Sequence, residues 1–576
     1  MAGPEGDRLI RVDMTTQTVS LDPFPEEWKI FGGRGLSAKI LSAECDPQCD
    51  PLGPGNVLVM APGVLSGTSA PTSGRISIGG KSPLTGGIKE ANAGGNPAQH
   101  LMKLGFRAVI VKGQPANPEK RYGLKISAEA VEVVEADDYK GLWNYACCEK
   151  LLADAPKSAS AISIGPAGEM RLRGASVACT DHEKDRHPAR HAARGGLGAV
   201  MGSKGLKWVL IDPGKARLRV PADAKAMNAR NKEWAKEYKA GPMHVSKGTA
   251  AVIPVANVLN TLPYKNRTQG QCPDVDTLDG ANIIEAFETR GGGMHGCHRG
   301  CIVRCSAIVN DAEGNYKTSG FEFETLTLLG ANCAIASWDD VADLDRLCDE
   351  VGLDTIETGA AIAVLMDSGG MEWGDVEGVK KLLREISEET DLAKMIGNGA
   401  VETGKKRGHK RVPHGKGQAI PAWDPRSLKS TGVTYASGSM GADHTAGLIV
   451  NPAMPPEELA RASQEIQLVN AVGDSSGFCC FFSATLDDIR RYYTMLYGEE
   501  VTREQIANQG WEILQDEWKF NERAGFTAAD DVLSDCLVEE GIGPADAKFD
   551  VDAETIAAVK VRFPIRDELF LTRATG

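Results

Sequence analysis

Gly296-Cys297-His298-Arg299-Gly300-Cys301-Ile302-Val303-Arg304-Cys305 is the stretch from which the rest of the chain is read. Its cysteines recur at every fourth position, between glycines and arginines. Thiolates this close can grip one soft metal centre. A cubane cluster needs a fourth ligand, and Asp474-Ser475-Ser476-Gly477-Phe478-Cys479 supplies the best candidate. Structural zinc usually shows two cysteine pairs, whereas here three thiols lie together and one stands far downstream. A radical-generating cluster reads Cys-x3-Cys-x2-Cys, and the second gap here is longer. The spacing favours an iron–sulfur cluster, with zinc as the alternative. Cys480 competes with Cys479 as the fourth ligand.

The chain has 576 residues, 42% hydrophobic and 25% charged. At roughly 100–200 residues per domain this implies two to four globular domains. A net charge of −14 without a basic tract argues against nucleic acid or an anionic membrane as partner. Met1–Asp7 contains no apolar signal region, and no apolar run approaches the ~20 residues of a membrane span. A cytoplasmic chain without membrane insertion is expected. Its 14 cysteines, scattered through a long chain, read as reduced thiols.

The periodicities predict an α+β fold: a β-rich domain over 1–212, then two mainly helical domains over 213–420 and 421–576. A hairpin is expected at 8–13 and 18–21, and a helix from Pro25 to Ala43. Strands are expected at 56–60, 75–78, 108–112, 124–128, 131–136, 161–164 and 207–211. Helices are expected at 222–239, 282–289, 325–333, 338–351, 375–389, 455–470, 486–497 and 503–520. The Gly/Lys/Pro-rich segment 403–421 is the best internal boundary.

Two glycine-rich loops stand out. Ser73-Gly74-Arg75 leads to Asn92-Ala93-Gly94-Gly95-Asn96, and Ala192-Ala193-Arg194-Gly195-Gly196-Leu197-Gly198 lies downstream. Such loops bring backbone N–H groups close to phosphates, with arginine supplying charge. The bland alternative is turns and tight packing. Neither loop fits a dinucleotide fingerprint, and no P-loop occurs. Electrons taken by the chain must then leave through protein contact.

Asp349-Glu350-Val351-Gly352-Leu353-Asp354 and Asp474-Ser475-Ser476-Gly477-Phe478-Cys479 share one pattern. Each falls at or just after the end of an expected helix. Two copies suggest two copies of one bound group, with aspartate accepting from a heterocycle; a helix-ending glycine explains either copy alone. This pair is the only internal repeat visible in the residues. Cys45 and Cys49 read as an exposed turn, while Cys147, Cys148, Cys333 and Cys348 read as packed. His182, His187 and His191 form a polar stretch, as a solvated turn, a channel wall or a metal site.

These motifs together resemble the tungsten-dependent aldehyde:ferredoxin oxidoreductase family over nearly the whole chain, from Phe31-Gly32-Gly33-Arg34-Gly35 to Cys479. The resemblance implies a tungsten bis-pyranopterin, or its molybdenum counterpart, beside a [4Fe–4S] cluster. It implies oxidation of a small aldehyde to a carboxylic acid. Electrons would pass to ferredoxin or an iron–sulfur partner subunit, with a flavin subunit behind it, in an oligomer. Carried over by residue, it implies Cys297, Cys301, Cys305 and Cys479 as cluster ligands. Arg75 would lie between cluster and pterin. Asn92 and the backbone of Ala192 would hold a Mg²⁺ joining the pterin phosphates. Asp349, Gly352, Leu353, Asp354, Asp474, Gly477 and Phe478 would bind the pterins, with Gly94, Gly95, Arg194, Gly195 and Gly196 in the loops. His444, in Gly441-Ala442-Asp443-His444, would be the active-site histidine, its tautomer fixed by Asp443. Glu322 or Glu324, in Glu322-Phe323-Glu324-Thr325, would accept a proton. The chain departs from the family where Phe323 replaces tyrosine and Met440 replaces arginine. The wider first cysteine gap resembles a bacterial-type branch with extra electron-transfer subunits. A relative in the same superfamily that reduces an aromatic acyl-CoA is the second reading.

Overall fold

The computed structural model describes residues 6–183, 185–240, 248–278 and 280–575; Met1–Glu5 and Lys184 lie outside them. The fold is α+β, with β-rich chain first and helical chain after it. Strands β1 (Arg8–Asp13), β2 (Thr18–Pro23), β3 (Leu58–Pro62), β4 (Ile76–Lys81), β5 (Ile88–Ala93) and β6 (Phe106–Lys112) form one six-stranded sheet in the order β2-β1-β6-β3-β4-β5. Strands β7 (Tyr122–Ile126), β8 (Val131–Glu135), β9 (Ser160–Ser163), β10 (Val177–Cys179), β11 (Arg190–Ala192) and β12 (Leu206–Ile211) form a second, in the order β8-β7-β12-β9-β10-β11.

Adding six to every label of the first sheet gives the second. In each, the first and last strands pair in parallel and the other pairs are antiparallel. The helices repeat too. Gly33–Glu44 corresponds to Asn144–Ala153, and Pro97–Lys103 to Leu197–Ser203. The β-rich region is therefore a structural duplication. The residues repeat only in part: Ala93, Gly95, Gly105 and Val109 recur as Ala193, Gly195, Gly205 and Val209, with left-handed glycines at the matching turns, while most of the intervening side chains diverge.

The two units share one apolar layer. Ile10, Val12, Met60, Ile78 and Val109 of the first pack with Leu124, Ile162, Val177 and Val209 of the second. The alternate residues Val59, Ala61, Ala108 and Ile110 face the other way, against Leu468, Val472 and Ile513. This use of both faces follows from strands with no polar side.

In the region read as helical, five short strands went unexpected: Gly293–His295, Ser306–Asn310, Tyr316–Ser319, His414–Gly415 and Gln418–Ala419. In the two large sheets three did: β5, β10 and β11. The last two are three residues long, and β5 carries Lys89, Glu90 and Asn92, which read as loop. The helix expected from Pro25 begins only at Gly33, after a short 3-10 turn at Glu26–Trp28. Gly32 and Gly33 break it because the backbone of another helix lies there: a Cβ on Gly33 would fall 2.1 Å from the Asp474 carbonyl oxygen. The helix expected over 325–333 is a composite, with π-helix at Leu326–Gly330 and 3-10 at Ala331–Cys333. The helix expected over 455–470 runs Leu459–Ser476, so Asp474 sits inside its last turn.

Both Asp-x-x-Gly motifs end helices in the same way. Trp338–Val351 starts at a Ser337 cap and stops at left-handed Gly352; Leu459–Ser476 stops at left-handed Gly477. Each end docks on the corresponding β-unit through a glycine. A Cβ on Gly63 would lie 2.1 Å from Gly477 Cα, and one on Gly165 would lie 2.4 Å from the Val351 carbonyl. Val64 N–H donates to Ser475 O at 3.1 Å, and Ser176 N–H to Gly352 O at 2.9 Å.

Gly63→Ala and Gly165→Ala should each force backbone apart and lower stability by roughly 3 kcal/mol, at the upper end of ordinary overpacking. Gly473→Ala, where a Cβ meets only Ala574 Cβ at 3.6 Å, should be neutral or slightly stabilising, because it removes a helical glycine. Thermal midpoints of the three variants check this; equal effects would refute it.

Candidate active site

The cysteine loop joins two antiparallel strands, β13 (Gly293–His295) and β14 (Ser306–Asn310). It turns through left-handed Gly300 and Arg304. Cys297, His298 and Cys301 offer donor atoms within 4.8 Å of one another. His298 Nδ1 lies 3.3 Å from Cys297 Sγ, and its Nε2 has no partner.

Cys479 comes to the same place from the end of the helix Leu459–Ser476. Thr72 ties the two together. Its N–H donates to Gly300 O at 3.0 Å, its Oγ1 accepts from Ile302 N–H at 3.1 Å, and its carbonyl accepts from Cys479 N–H at 3.1 Å. Thr72 does this at a φ of 55°, a costly conformation for a β-branched residue that only over-determined surroundings sustain.

The sulfur atoms share one field. A hydrogen bond from Cys301 holds Cys297 well below the ordinary thiol range. A hydrogen bond from Cys480, then the Arg75 guanidinium, lower Cys479 to about 6. Cys305 is pushed up, first by burial and then by charge on Glu322, Cys479 and Cys297. Cys301 is pushed up as well, first by its hydrogen bond to Cys297 and then by burial. Two thiols disposed to ionise, Cys297 and Cys479, beside one arginine suit a metal–sulfur group. A Cβ on Gly94 would sit 2.8 Å from Cys297 Sγ and 3.3 Å from Arg75 Nη1, so bare backbone faces the sulfur there. This donor set is compatible with an iron–sulfur cluster.

Arg75 lies between the cysteines and the first glycine loop. Its Nε donates to Asn92 Oδ1 and its Nη2 to Asn92 O at 3.1 Å. Asn92 on β5 and Ala192 at the end of β11 occupy corresponding places in the duplicated units. The other loop glycines answer to packing. A Cβ would meet the Thr180 carbonyl 2.6 Å from Gly95, Lys89 Cγ 2.4 Å from Gly195 and the Arg173 carbonyl 2.3 Å from Gly196. Arg194 is held by the protein's own carbonyls. It donates to Ala442 O and Ala419 O at 2.6 Å each, with Nε 3.4 Å from Asp354 Oδ2.

The motif aspartates have unequal surroundings. Asp349 Oδ1 lies 3.0 Å from His191 Nε2. Asp354 caps the helix Thr355–Asp367, accepting from Ile356 and Glu357 N–H at 3.0 and 3.2 Å, so its carboxylate is already engaged. Asp474 Oδ2 lies 3.6 Å from Arg34 Nη1; burial and then Glu90 push its pKa well up. Leu353 and Phe478 turn their side chains into separate apolar cores, which leaves only their backbones for a ligand.

Glu322 and Glu324 point to different neighbours. Glu322 Oε2 accepts from Thr249 Oγ1 at 2.5 Å, and burial raises its pKa to about 7. The charges that act on it include Arg190, Cys297 and Cys479. Glu324 Oε2 accepts from Ala422 N–H at 2.7 Å, while its buried Oε1 has no hydrogen-bond partner and lies 3.8 Å from His444 Nε2. Asp443 does not fix the His444 tautomer. Its Oδ2 pairs with Lys89 and its Oδ1 accepts from Thr445 N–H and Oγ1 at 3.0 and 2.8 Å; His444 Nδ1, 3.9 Å away, is unpartnered.

Among the described residues, the three histidines of the 182–191 stretch do not converge. His187 stacks on Tyr316 at 3.9 Å, His191 meets Asp349, and His182 Nδ1 lies 3.2 Å from Asn96 Nδ2. Cys147, Cys148, Cys333 and Cys348 are buried as expected. Residues that sequence reading missed include Thr72, Lys89, Glu90 and Arg190. Arg190 is buried with Nε 3.1 Å from Asp181 Oδ2, and its charge reaches Glu322. The adjacent Lys89-Glu90 in an otherwise apolar strand was the available signal.

Two family models cover nearly all of this chain: "Aldehyde ferredoxin oxidoreductase, N-terminal domain" over residues 9–213, and "Aldehyde ferredoxin oxidoreductase, domains 2 & 3" over 226–559. The tungsten-containing aldehyde ferredoxin oxidoreductases of Pyrococcus furiosus and Thermococcus kodakarensis are each 30% identical to it, over 92% of this chain and 91% of theirs. An aliphatic sulfonate oxidoreductase, WOR-like subunit, of Pyrococcus furiosus is 29% identical over 87% of this chain and 83% of its own. Among solved structures, the active site complex BamBC of benzoyl coenzyme A reductase with 1,5-dienoyl-CoA shares the fold. Its TM-score is 0.78 at 19% identity, over 97% of this chain and 94% of that one. No helix of the described residues is long and apolar enough to cross a membrane. By the match of both family models and by its identity to these enzymes, the chain belongs to the aldehyde ferredoxin oxidoreductase family.

Proposed function

We propose that this chain is the catalytic subunit of an oxidoreductase that converts aldehydes to carboxylic acids. Its electrons pass through a [4Fe–4S] cluster to ferredoxin or an iron–sulfur partner subunit. The observation that carries the reading is the meeting of Cys479 with the Cys297–Cys305 loop around Thr72, with Arg75 leading from the sulfurs to the glycine loop of β5. Cys297, Cys301, Cys305 and Cys479 hold the cluster. The helix-end motifs at Asp349–Asp354 and Asp474–Phe478 and the loops at Gly94–Gly95 and Arg194–Gly196 hold a bis-pyranopterin. Asn92 and the Ala192 backbone hold a Mg²⁺ between its phosphates. Tungsten in that cofactor supplies the two-electron chemistry when bound.

Oxidising an aldehyde with water releases protons as well as two electrons, so the site needs proton acceptors. His444 Nε2 orients the aldehyde by donating to its carbonyl oxygen. Glu324 Oε1, unpartnered and 3.8 Å from that ring, takes the proton lost by the attacking water. Met440, where the family has arginine, removes a cation beside His444 and bears on substrate preference. Glu322, on the cysteine side, holds a proton near neutral pH and adjusts the charge felt by the cluster.

His444→Asn and Glu324→Gln should each lower turnover in aldehyde-dependent viologen reduction about 100-fold or more, the usual scale of acid–base catalysis. Tungsten and iron contents should stay unchanged by elemental analysis. Wild-type turnover in both variants would remove these roles. Cys479→Ala should lose iron while the chain still folds. In the same assay simple aldehydes should turn over and benzoyl-CoA-type substrates should not; the reverse would move the enzyme to the acyl-CoA branch.

Glu322 should also make stability depend on pH. Its folded pKa of about 7 lies above the ordinary carboxyl value of 4.5, so the unfolded chain releases this proton first. Stability is lost as pH rises from about 4.5 to about 7, by roughly 3 kcal/mol. Glu322→Gln should therefore raise the thermal midpoint at pH 8 more than at pH 5.5. An equal effect at both pH values would show that the group does not titrate there.

A further inference from the structure

Cys45 and Cys49 lie outside the site described above. The sequence reads them as an exposed turn, but Cys45 is 3% exposed and Cys49 half-buried. They sit in the loop that runs from the helix Gly33–Glu44 to β3. A turn brings Cys49 N–H within 3.0 Å of Asp46 O, and Cys45 Sγ lies 3.6 Å from Asn56 Oδ1. Both cysteines converge on Gly55: Cys45 Sγ lies 3.9 Å from its carbonyl oxygen, and a Cβ built on it would fall 3.0 Å from Cys49 Cβ and 3.9 Å from Cys49 Sγ.

Two buried lysines close the loop from beneath. Lys81, at the end of β4, donates to the carbonyls of Pro47 and, at 2.8 Å, Cys49. Lys204, after the helix Leu197–Ser203, donates to Gly53 O at 3.0 Å. Among the described residues neither ammonium has a carboxylate partner. Buried cations without a counter-charge favour an anion beside them, and a thiolate answers that demand.

We propose that Cys45 and Cys49 form a dithiol redox site that exchanges with low-molecular-weight disulfides. The Cys49 thiolate attacks one sulfur of the disulfide, the S–S bond breaks, and one thiolate leaves. The Cys45 thiol then loses its proton and attacks Cys49 Sγ, expelling the second thiolate. The products are a Cys45–Cys49 disulfide and two small thiols, so the chain gives up two electrons and the disulfide takes them. The charged and titratable groups that face Cys49 are Cys45 and Asp46 of its own loop, Lys81 and Lys204. The Cys45 hydrogen bond and the two lysines outweigh burial and Asp46, and bring Cys49 to about 7. Cys45 stays protonated until it resolves the mixed disulfide.

The test uses full-length, cofactor-loaded protein with glutathione disulfide, read by peptide mass spectrometry. Wild type should gain the Cys45–Cys49 linkage, and Cys45→Ser should stop with one glutathione on Cys49. Aldehyde-dependent dye reduction by untreated Cys45→Ser should match wild type. Lys81→Met combined with Lys204→Met should slow iodoacetamide labelling of Cys49 at pH 7 roughly tenfold and move its pH midpoint upward. Glutathione that persists on Cys49 in wild type would overturn the proposal. So would Cys49 labelling at pH 7 no faster in the native chain than in the urea-unfolded one. Neither reading depends on the lysine variant folding.

Discussion

The structure depends on backbone meeting backbone at two helix ends. Gly477 lies against Gly63 and Gly352 against Gly165, with no room for a Cβ between them. Contacts this close permit only glycine on the β-side, and the left-handed turn at each helix end favours glycine again. Each turn also positions the residues just beyond it. Cys479 stands two residues past Gly477 and hydrogen-bonds Thr72; Asp354 stands two residues past Gly352 and hydrogen-bonds Gly174. One device, used twice, therefore delivers a thiol on one side and a capping carboxylate on the other. The duplication of the β-units explains why it can occur twice.

Around these contacts the interior holds an unusual density of charge. Arg34 forks onto Glu517 at 2.7 and 2.8 Å, Lys89 pairs with Asp443, Arg194 meets Asp354, and Arg190 meets Asp181. Every one of these side chains is buried. Buried pairs add little net stability, because desolvation offsets most of their attraction. Their concentration beside orphaned polar atoms such as Glu90 Oε1, Glu324 Oε1 and His444 Nδ1 marks a place arranged for a polar guest. The apolar layers alone would hold the domains together. The fold tolerates these charges because each is paired.

Much of this was legible in the residues, for definable reasons. The cysteine loop announced itself because its ligands are local in sequence. Cys479 was legible through the repeated Asp-x-x-Gly, a helix-ending signal that a single chain displays twice. Strands such as β6 and β12 were legible because both faces are apolar. By contrast, β5 read as loop because it carries Lys89, Glu90 and Asn92, whose partners come from distant segments. The duplicated topology left only a faint residue trace, Gly95, Gly105 and Val109 recurring as Gly195, Gly205 and Val209, which the sequence reading passed over. Arg194 and Asp354 read as ligands by motif; what the residues did not show is that hydrogen bonds to Ala442, Ala419, Ile356 and Glu357 also hold them in place. Sequence shows that a residue can bind something; only the fold shows what has already claimed it.

Surroundings likewise separate the two glutamates that the motif left equivalent. Glu322 precedes the short helix Phe323–Thr325 in extended conformation, and Glu324 lies within it. That change of backbone, with Phe323 buried against Trp423 at 5.1 Å, sends the carboxylates to opposite sides. Glu322 meets a hydroxyl among thiols and an arginine, where burial raises its proton affinity. Glu324 meets a backbone N–H and an imidazole, with one oxygen left open. When two carboxylates occupy such different surroundings, their chemistry divides by environment rather than by residue type. The open Glu324 oxygen faces the His444 ring at 3.8 Å. The sheltered Glu322 carboxyl feels the charge of Arg190 and of the nearby thiols. A single tripeptide step thus links the imidazole side of the site to the sulfur side.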